Sequence, residues 1–287
     1  MNISILIADF LYHCEHEKLL DKKTIGAYRT DLTQYAAFAE APFSVAAVLS
    51  YAQQLKQNPK KKTSKRKIAS VRNFFRHLEL EGILLDNPMN RLKFDFEEPH
   101  RPPESLPLEM MQKLLRAAYD DASMRDVAVL ELLFSAGLRV SELSALTAED
   151  IDLRCGLVQV HGKGNRERTV AITNVETIWA LRQYSSEFRQ QIISSGFFFV
   201  NRNGHQLSEQ SVRSIVRSYA DKANLDKKVT PAILRNSFAT LMLEEGADIR
   251  YMQRILGHSR LTVTLSYDNS QRVQNEMQKN PRNRMSL

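Results

Sequence analysis

The sequence predicts a mainly α-helical chain of two domains, the second carrying a small antiparallel β-sheet. Three observations lead there. Through the first ninety or so residues, apolar positions recur at intervals of three and four with no sustained alternation. A stretch rich in proline follows near residue 100, and beyond it one pair of alternating segments, joined by a glycine-rich turn, interrupts further helical pattern. The length of 287 residues suits one large domain or two of moderate size. Hydrophobic residues make up 43% and charged residues 25%, enough for a core and unlike a disordered, collagenous or coiled-coil chain.

The first twenty residues have no basic leader and no small-residue cleavage site, and Asp9 interrupts their apolar run. They predict an amphipathic helix rather than a secretory signal or membrane span. Ile25, Tyr28, Leu32, Tyr35 and Phe38 lie on one face of a second helix that ends before Pro42. From Thr63 to about Leu80 the pattern repeats with Ile68, Val71, Phe75 and Leu78 inward, closed by Gly82 and Pro88. The segment FDFEEPHRPPESL, residues 94–106, holds three prolines and four acids without periodicity and reads as an extended linker. The expected division is 1–95, a linker at 96–105, and 106–287.

In the second domain, Ser123 with Asp126 suggests a capping box opening a helix with the stripe Val127, Leu130 and Leu133/Phe134, and Gly137 is its expected stop. Leu157–His161 and Arg168–Ile172 flank a Gly-Lys-Gly-Asn turn and predict a β-hairpin. Thr230 as N-cap, Pro231 at the first helical position and Gly246 bracket another helix, and Asp248 and Gly257 bracket the next. Cys14 and Cys155 cannot build a disulfide framework, and no Cys/His cluster has zinc-ligand spacing. A reducing cytoplasm is the expected setting.

Lys and Arg number 40 against 33 Asp and Glu, a net charge of +7. Nine of those cations fall between residues 56 and 76, at Lys56, Lys60, Lys61, Lys62, Lys65, Arg66, Lys67, Arg72 and Arg76, with no acid among them. The segment exceeds the whole surplus, so the remainder is slightly acidic. A solvated helix face normally mixes signs, whereas an unbroken positive stripe fits a row of phosphates. The segment therefore predicts nucleic-acid contact, carried by Lys60, Lys61, Lys62, Lys65, Arg66, Lys67, Arg72 and Arg76.

Several polar residues lie inside apolar strings. Arg139 follows Gly137 with Glu142 three residues later, Arg235 stands among apolar neighbours on a helix, His258 follows a helix-ending glycine, and Tyr267 comes nine residues on. Each alone has an ordinary structural explanation. Their order is more specific: GLRVSEL (137–143), GKGNRER (162–168), TPAILRNSFAT (230–240) and LGHSRLTVTLSY (256–267) together resemble the tyrosine recombinases, the Xer, phage-integrase and Cre group, with an Xer-like or transposon-encoded flavour. The resemblance covers nearly the full chain. It implies a two-domain DNA clamp: a helical core-binding domain, a linker, and an α+β catalytic domain ending in the nucleophile.

The implied activity is site-specific recombination of double-stranded DNA, with cleavage through a 3′-phosphotyrosyl intermediate and strand exchange by a tetramer through a Holliday junction. Tyr267 is then the nucleophile. Arg139 and Arg235 bind the non-bridging oxygens, both as buried charges, His258 donates to them, Lys163 protonates the leaving 5′-oxygen, and Glu142 is an accessory acid that orients an arginine. The residue types suit that chemistry, since guanidinium is planar, bidentate and permanently charged, and tyrosine needs help because its reference pKa is about 10. No cofactor, metal or ATP enters the scheme. Accessory DNA-binding proteins are conceivable partners, and no membrane is expected.

The resemblance departs at two positions. The family's histidine three residues before the second arginine is replaced by Ala232, and Asn236 stands where a histidine commonly follows that arginine. Alanine can neither titrate nor hydrogen-bond, and loss of general acid–base help costs roughly 10²–10⁴-fold in rate. Three explanations stand: natural divergence, a base from elsewhere with His205 or a water as candidates, or an engineered alanine. Two other functions compete, a DNA-binding accessory protein with degraded catalysis and a type IB topoisomerase-like enzyme. Leu261, Val263, Leu265 and Tyr267 alternate with polar residues and by pattern read as strand, whereas the resemblance implies helix, which we adopt. A short helix with Val273 and Met277 inward, docking on a neighbouring protomer, is one expectation for the last twenty residues and a frayed end the other.

Overall fold

A computed structural model describes residues 2–92, 94, 103–121, 123–162 and 166–267. It divides into two compact units, Met1–His100 and Arg101–Leu287.

The first unit is helical: α1 (Ile3–His16), α2 (Lys22–Phe38), α3 (Val45–Gln57) and α4 (Lys61–Leu80), followed by a 3₁₀ turn at Pro88–Arg91. Three of these helices open on a capping side chain, Asn2, Asp21 or Ser44, each accepting a backbone N–H of the first turn. The apolar stripes converge on one core that includes Phe10, Leu32, Val71, Phe74, Phe75 and Leu78. Tyr35 packs edge-on against Tyr51, with centroids 5.1 Å apart. Ile68, Val71, Phe75 and Leu78 face inward as the spacing predicts, whereas Phe38 ends α2 partly exposed.

α4 differs from its neighbours at its start. Lys60 is the N-cap residue without a capping hydrogen bond, and the first turn holds lysines and no acid. Positive charge at the positive end of the helix dipole is unfavourable in isolation. Farther along, Arg66 pairs with the fully buried Asp31, which also accepts from Ser70 at 2.7 Å. One cation of the basic segment is thus tied into the fold.

The second unit packs α5 (Leu108–Asp120), α8 (Val175–Glu187), α10 (Glu209–Lys222) and α11 (Pro231–Glu244) around α6 (Met124–Ala136). From Val127 to Leu133, α6 is buried all round, which is why its sequence is apolar on every face. Its one acid in that run, Glu131, accepts from Tyr119 at 2.9 Å and Thr177 at 2.7 Å. The remaining elements are α7 (Val140–Ala145), α9 (Arg189–Ser195), α12 (Ile249–Leu256), α13 (Leu261–Leu265) and a three-stranded antiparallel sheet of β1 (Ile151–Asp152), β2 (Leu157–Gly162) and β3 (Arg166–Ala171). In the hairpin Val158 faces Val170 and Val160 faces Arg168.

One local expectation changes and another holds. Ser123 is the N-cap residue of α6 but makes no capping hydrogen bond; Asp126 instead takes the Arg125 Nε–H at 2.8 Å, so there is no capping box. The alternating segment before Tyr267 is the helix α13, as the resemblance implied. Its fully buried residue is Thr264, at one of the positions the alternation marks as outward, because tertiary contacts override a five-residue pattern.

Gly137 ends α6 in the left-handed conformation with φ +57°. A Cβ there would stand 2.4 Å from the Phe238 ring of α11, so both backbone and space demand glycine. Gly196 has φ +75° with nothing near its absent side chain. Gly137→Ala should therefore cost about 2–4 kcal/mol, combining left-handed strain with overpacking, and Gly196→Ala only about 1–2 kcal/mol. Urea unfolding of the two variants tests this; equal losses would mean that Phe238 moves aside freely.

Candidate active site

The site begins with a helix cap. Arg139 is the N-cap residue of α7 and Glu142 its third residue, and the Glu142 side chain reaches back to the Arg139 backbone N–H, the half of a capping box open to an arginine, which has no acceptor for the Glu142 N–H. Glu142 Oε2 accepts the Arg139 backbone N–H at 2.8 Å, and Oε1 accepts from Arg139 Nη1 at 2.6 Å. The carboxylate is 4% exposed. It also receives both arms of Arg168 from β3, Nη1 to Oε1 at 2.9 Å and Nη2 to Oε2 at 2.7 Å. Arg235 Nη1 lies 3.7 Å from Oε2. Three guanidinium groups therefore surround one carboxylate, leaving a net +2. Burial alone would raise the Glu142 pKa, but the hydrogen bonds from Arg168 and from the Arg139 N–H hold it at about 2.

Arg235 lies in the second turn of α11, whose start is fixed by the Thr230 cap and Pro231. Its side chain is 7% exposed. It donates to the carbonyl of Gly137 at 2.6 Å and to that of Leu256 at the end of α12, and its Nη2 is 3.2 Å from His258 Nε2. Burial and the Arg139 charge lower its pKa to about 10, so it stays protonated at neutral pH. The expectation that both family arginines are buried holds for Arg235 only. Arg139 is 42% exposed, because it caps a short helix at the rim of a cleft.

His258 follows Gly257, which ends α12 at φ +61°. Arg235 has no acceptor, so Nε2 accepts and the ring proton sits on Nδ1, 3.0 Å from the Oγ1 of buried Thr264. Burial, then the charges of Arg235, Arg139 and Arg168, push the imidazole pKa down to about 4. Tyr267 stacks on this ring with centroids 5.7 Å apart and planes inclined by 14°. It also packs against the small apolar cluster of Ala239, Leu243, Met252 and Leu256. Arg139, Arg235, His258 and Tyr267 are thus one connected set.

A cleft of about 1540 Å³ opens beside them, lined among others by Arg139, Glu142, Arg168, Gly257 and His258. His161, on its β2 wall, is held by Asp150 at 2.8 Å and Glu167 at 3.1 Å, whose carboxylates raise its pKa. Lys163 lies outside the described residues, as does the segment after Tyr267 with Val273 and Met277. Ala232 is exposed in the first turn of α11, one turn before Arg235. His205, offered by the sequence as a substitute base, does not line this cleft; it borders a separate polar depression with Gln190 and Asn203. Asn236 donates to the Glu104 carbonyl at 3.0 Å and Ser237 accepts the Leu106 N–H at 2.7 Å, tying the start of the unit to α11.

Arg168 is the residue that the motif reading passed over. Its signal was parity: it shares a strand face with Val170 and Ile172, which are buried, so an arginine there had to be turned inward.

Comparison with known proteins gives the chain's family. Residues 104–273 match the phage integrase family, and residues 7–82 match the phage integrase N-terminal SAM-like domain. A tyrosine recombinase of Agathobacter rectalis is 37% identical over 281 residues, covering 93% of this chain and 92% of that one. A tyrosine recombinase XerC of Thermodesulfovibrio yellowstonii is 34% identical over 279 residues, covering 93% and 92%. In fold, the chain is similar to a lambda integrase tetramer bound to a Holliday junction, with TM-score 0.72 and 16% identity over 91% of this chain and 76% of that one. With a catalytic-domain match spanning every residue of the cluster, and relatives aligned along almost their whole length, the chain belongs to the phage integrase family of tyrosine recombinases.

Proposed function

We propose that this chain cuts and rejoins double-stranded DNA at specific sites, with Tyr267 as nucleophile. The observation that carries the reading is the linkage of Arg139, Arg235, His258 and Tyr267, from three separate stretches, around one carboxylate and one imidazole. The Tyr267 oxygen attacks the scissile phosphorus, the bond to the 5′-oxygen breaks, and a 3′-phosphotyrosyl linkage forms with a free 5′-hydroxyl. Lys163 supplies the proton to that leaving oxygen. The reverse attack by a 5′-hydroxyl of a partner strand rejoins the DNA, so no external energy source is required.

Charge explains the arginines. A phosphodiester carries one negative charge and its pentacovalent transition state two, so the site's net +2 matches the transition state. Because the groups are fixed beforehand, no reorganisation is needed as that charge develops. His258 is neutral in the free protein, and its Nδ1 proton is engaged by Thr264. Incoming phosphate charge opposes the arginines and favours a proton on Nε2, which then donates to a non-bridging oxygen. Ala232 leaves tyrosine deprotonation to water.

The first unit grips the duplex. Lys62, Lys65, Arg72 and Arg76 are exposed along α4 and Lys60 precedes it, a one-sign face whose repulsion a phosphate row relieves. Lys61 and Lys67 are half-buried, with Lys61 turned to the Lys56 carbonyl, and Arg66 is engaged by Asp31. Assembly as a tetramer on two paired sites, exchange through a Holliday junction, help from accessory proteins and action in the cytoplasm complete the reading. Ala232 favours one rival, a DNA-binding accessory protein that keeps the fold and cuts poorly.

A duplex bearing the site mapped by footprinting on host-locus DNA, nicked near the cleavage point, should trap a covalent adduct that Tyr267→Phe abolishes. Ala232→His should speed adduct formation by up to about 10²-fold. Absence of adduct from both the unsubstituted chain and Ala232→His, with intact binding, would establish the accessory reading instead.

Joint replacement of Lys62, Lys65 and Arg76 by alanine should weaken binding to site and random DNA alike. It should also lower the slope of log K against log salt by about 0.9 for each phosphate no longer neutralised. An unchanged slope in filter binding from low to moderate salt would show that this face does not meet phosphates.

A further inference from the structure

Arg168 is assigned no contact with a reacting atom in the chemistry proposed above, where it enters only through the site's net charge, yet every nitrogen of its guanidinium is committed inside the site. Nε donates to the Ile255 carbonyl in the last turn of α12, and Nη1 and Nη2 fork the two oxygens of Glu142. The side chain is 11% exposed and offers the cleft few donors. Whatever it does passes through Glu142 and the end of α12.

We propose that Arg168 is a positioning residue that holds the Glu142 carboxylate saturated and correctly turned, so that Arg139 and Arg235 remain available to phosphate. The proposal rests on the strand-transfer reading of the preceding section. Two observations carry it. The carboxyl torsion of a glutamate is broad and two-fold, and an edge-on fork fixes it where a single donor does not. Without Arg168, the buried charge of Glu142 would be drawn onto Arg139, whose Nη1 is already 2.6 Å away, and that pair would compete with phosphate for the same donors. The other observation is the packing beside His258. A Cβ on Gly257 would lie 3.2 Å from Arg168 Nη1, so the guanidinium lies directly against the turn that aims the imidazole. One side chain on β3 thus registers the arginine pair and the histidine together.

The test measures three quantities on the nicked duplex: adduct rate at saturating protein, DNA affinity, and melting temperature. Arg168→Ala should slow adduct formation about 10²-fold, comparable to loss of a transition-state donor, with affinity kept within about twofold. Arg168→Lys should recover only part of the rate, since an ammonium cannot fork both oxygens. Combined with Glu142→Gln, Arg168→Ala should cost less than the product of the single losses, because the competing charge is gone. A wild-type rate in Arg168→Ala, rate and affinity falling in proportion with melting temperature, or multiplicative losses in the double variant would each overturn the inference. Should Arg168→Ala not fold, Arg168→Lys with and without Glu142→Gln decides by the same criteria. No adduct from the unsubstituted chain would instead overturn the strand-transfer reading, and this inference with it.

Discussion

The Glu142 carboxylate is the point on which the second unit's chemistry turns. Three guanidinium groups gathered without an anion would repel one another too strongly to share a partly buried site. One buried carboxylate makes the gathering possible, and its own burial is tolerable because four hydrogen bonds satisfy its oxygens. The arrangement also links distant parts of the chain. Glu142 belongs to α7, Arg168 to the hairpin and Arg235 to α11, and through the Gly137 and Leu256 carbonyls Arg235 pins the ends of α6 and α12 as well. The site is therefore a knot of helix ends, where unpaired carbonyls are available to accept from arginine.

Positive charge serves two different physical purposes in this molecule. Along α4 it is exposed, repetitive and hydrated, suited to a polyanion whose charges repeat and whose attraction is screened by salt. Around Glu142 it is fixed, partly desolvated and finite, suited to one phosphate group whose charge rises by one during reaction. Arg66 belongs to neither class. It lies in the basic run, but its partner is the buried Asp31, so its first duty is to the helical core. A count of cations in the sequence merges these roles.

The imidazole shows the same logic on a smaller scale. His258 is neutral in its own site because burial and three arginines oppose its protonation. Thr264 holds one nitrogen while Arg235 meets the other, so the ring is oriented before any substrate arrives. Tyr267 lies nearly parallel to that ring, so the proposed nucleophile is placed by stacking and by the apolar cluster it packs against rather than by a hydrogen bond to a base. This fits a chain that carries alanine at position 232.

Much of this was legible in the amino-acid order. Helix stripes, the proline-rich break, the glycine-turned hairpin and the caps at Thr230 and Asp248 are local signals, governed by spacing of three to four residues and by backbone preferences that need no partner. The four motifs likewise named Arg139, Glu142, Arg235, His258 and Tyr267 as a group. Contacts between segments far apart in sequence were not legible. The Arg168 fork on Glu142 spans 26 residues and the Arg235 bond to Gly137 spans 98. For the same reason the alternation before Tyr267 was no guide, and the resemblance was. A five-residue helix is decided by what it packs on, and α13 rests on α12 and buries Thr264 under His258. By itself the sequence determined which elements form and which residue types the chemistry requires. Tertiary structure alone decided which cations are free for phosphate and which are held by a carboxylate, because burial and pairing depend on neighbours that chain order does not reveal.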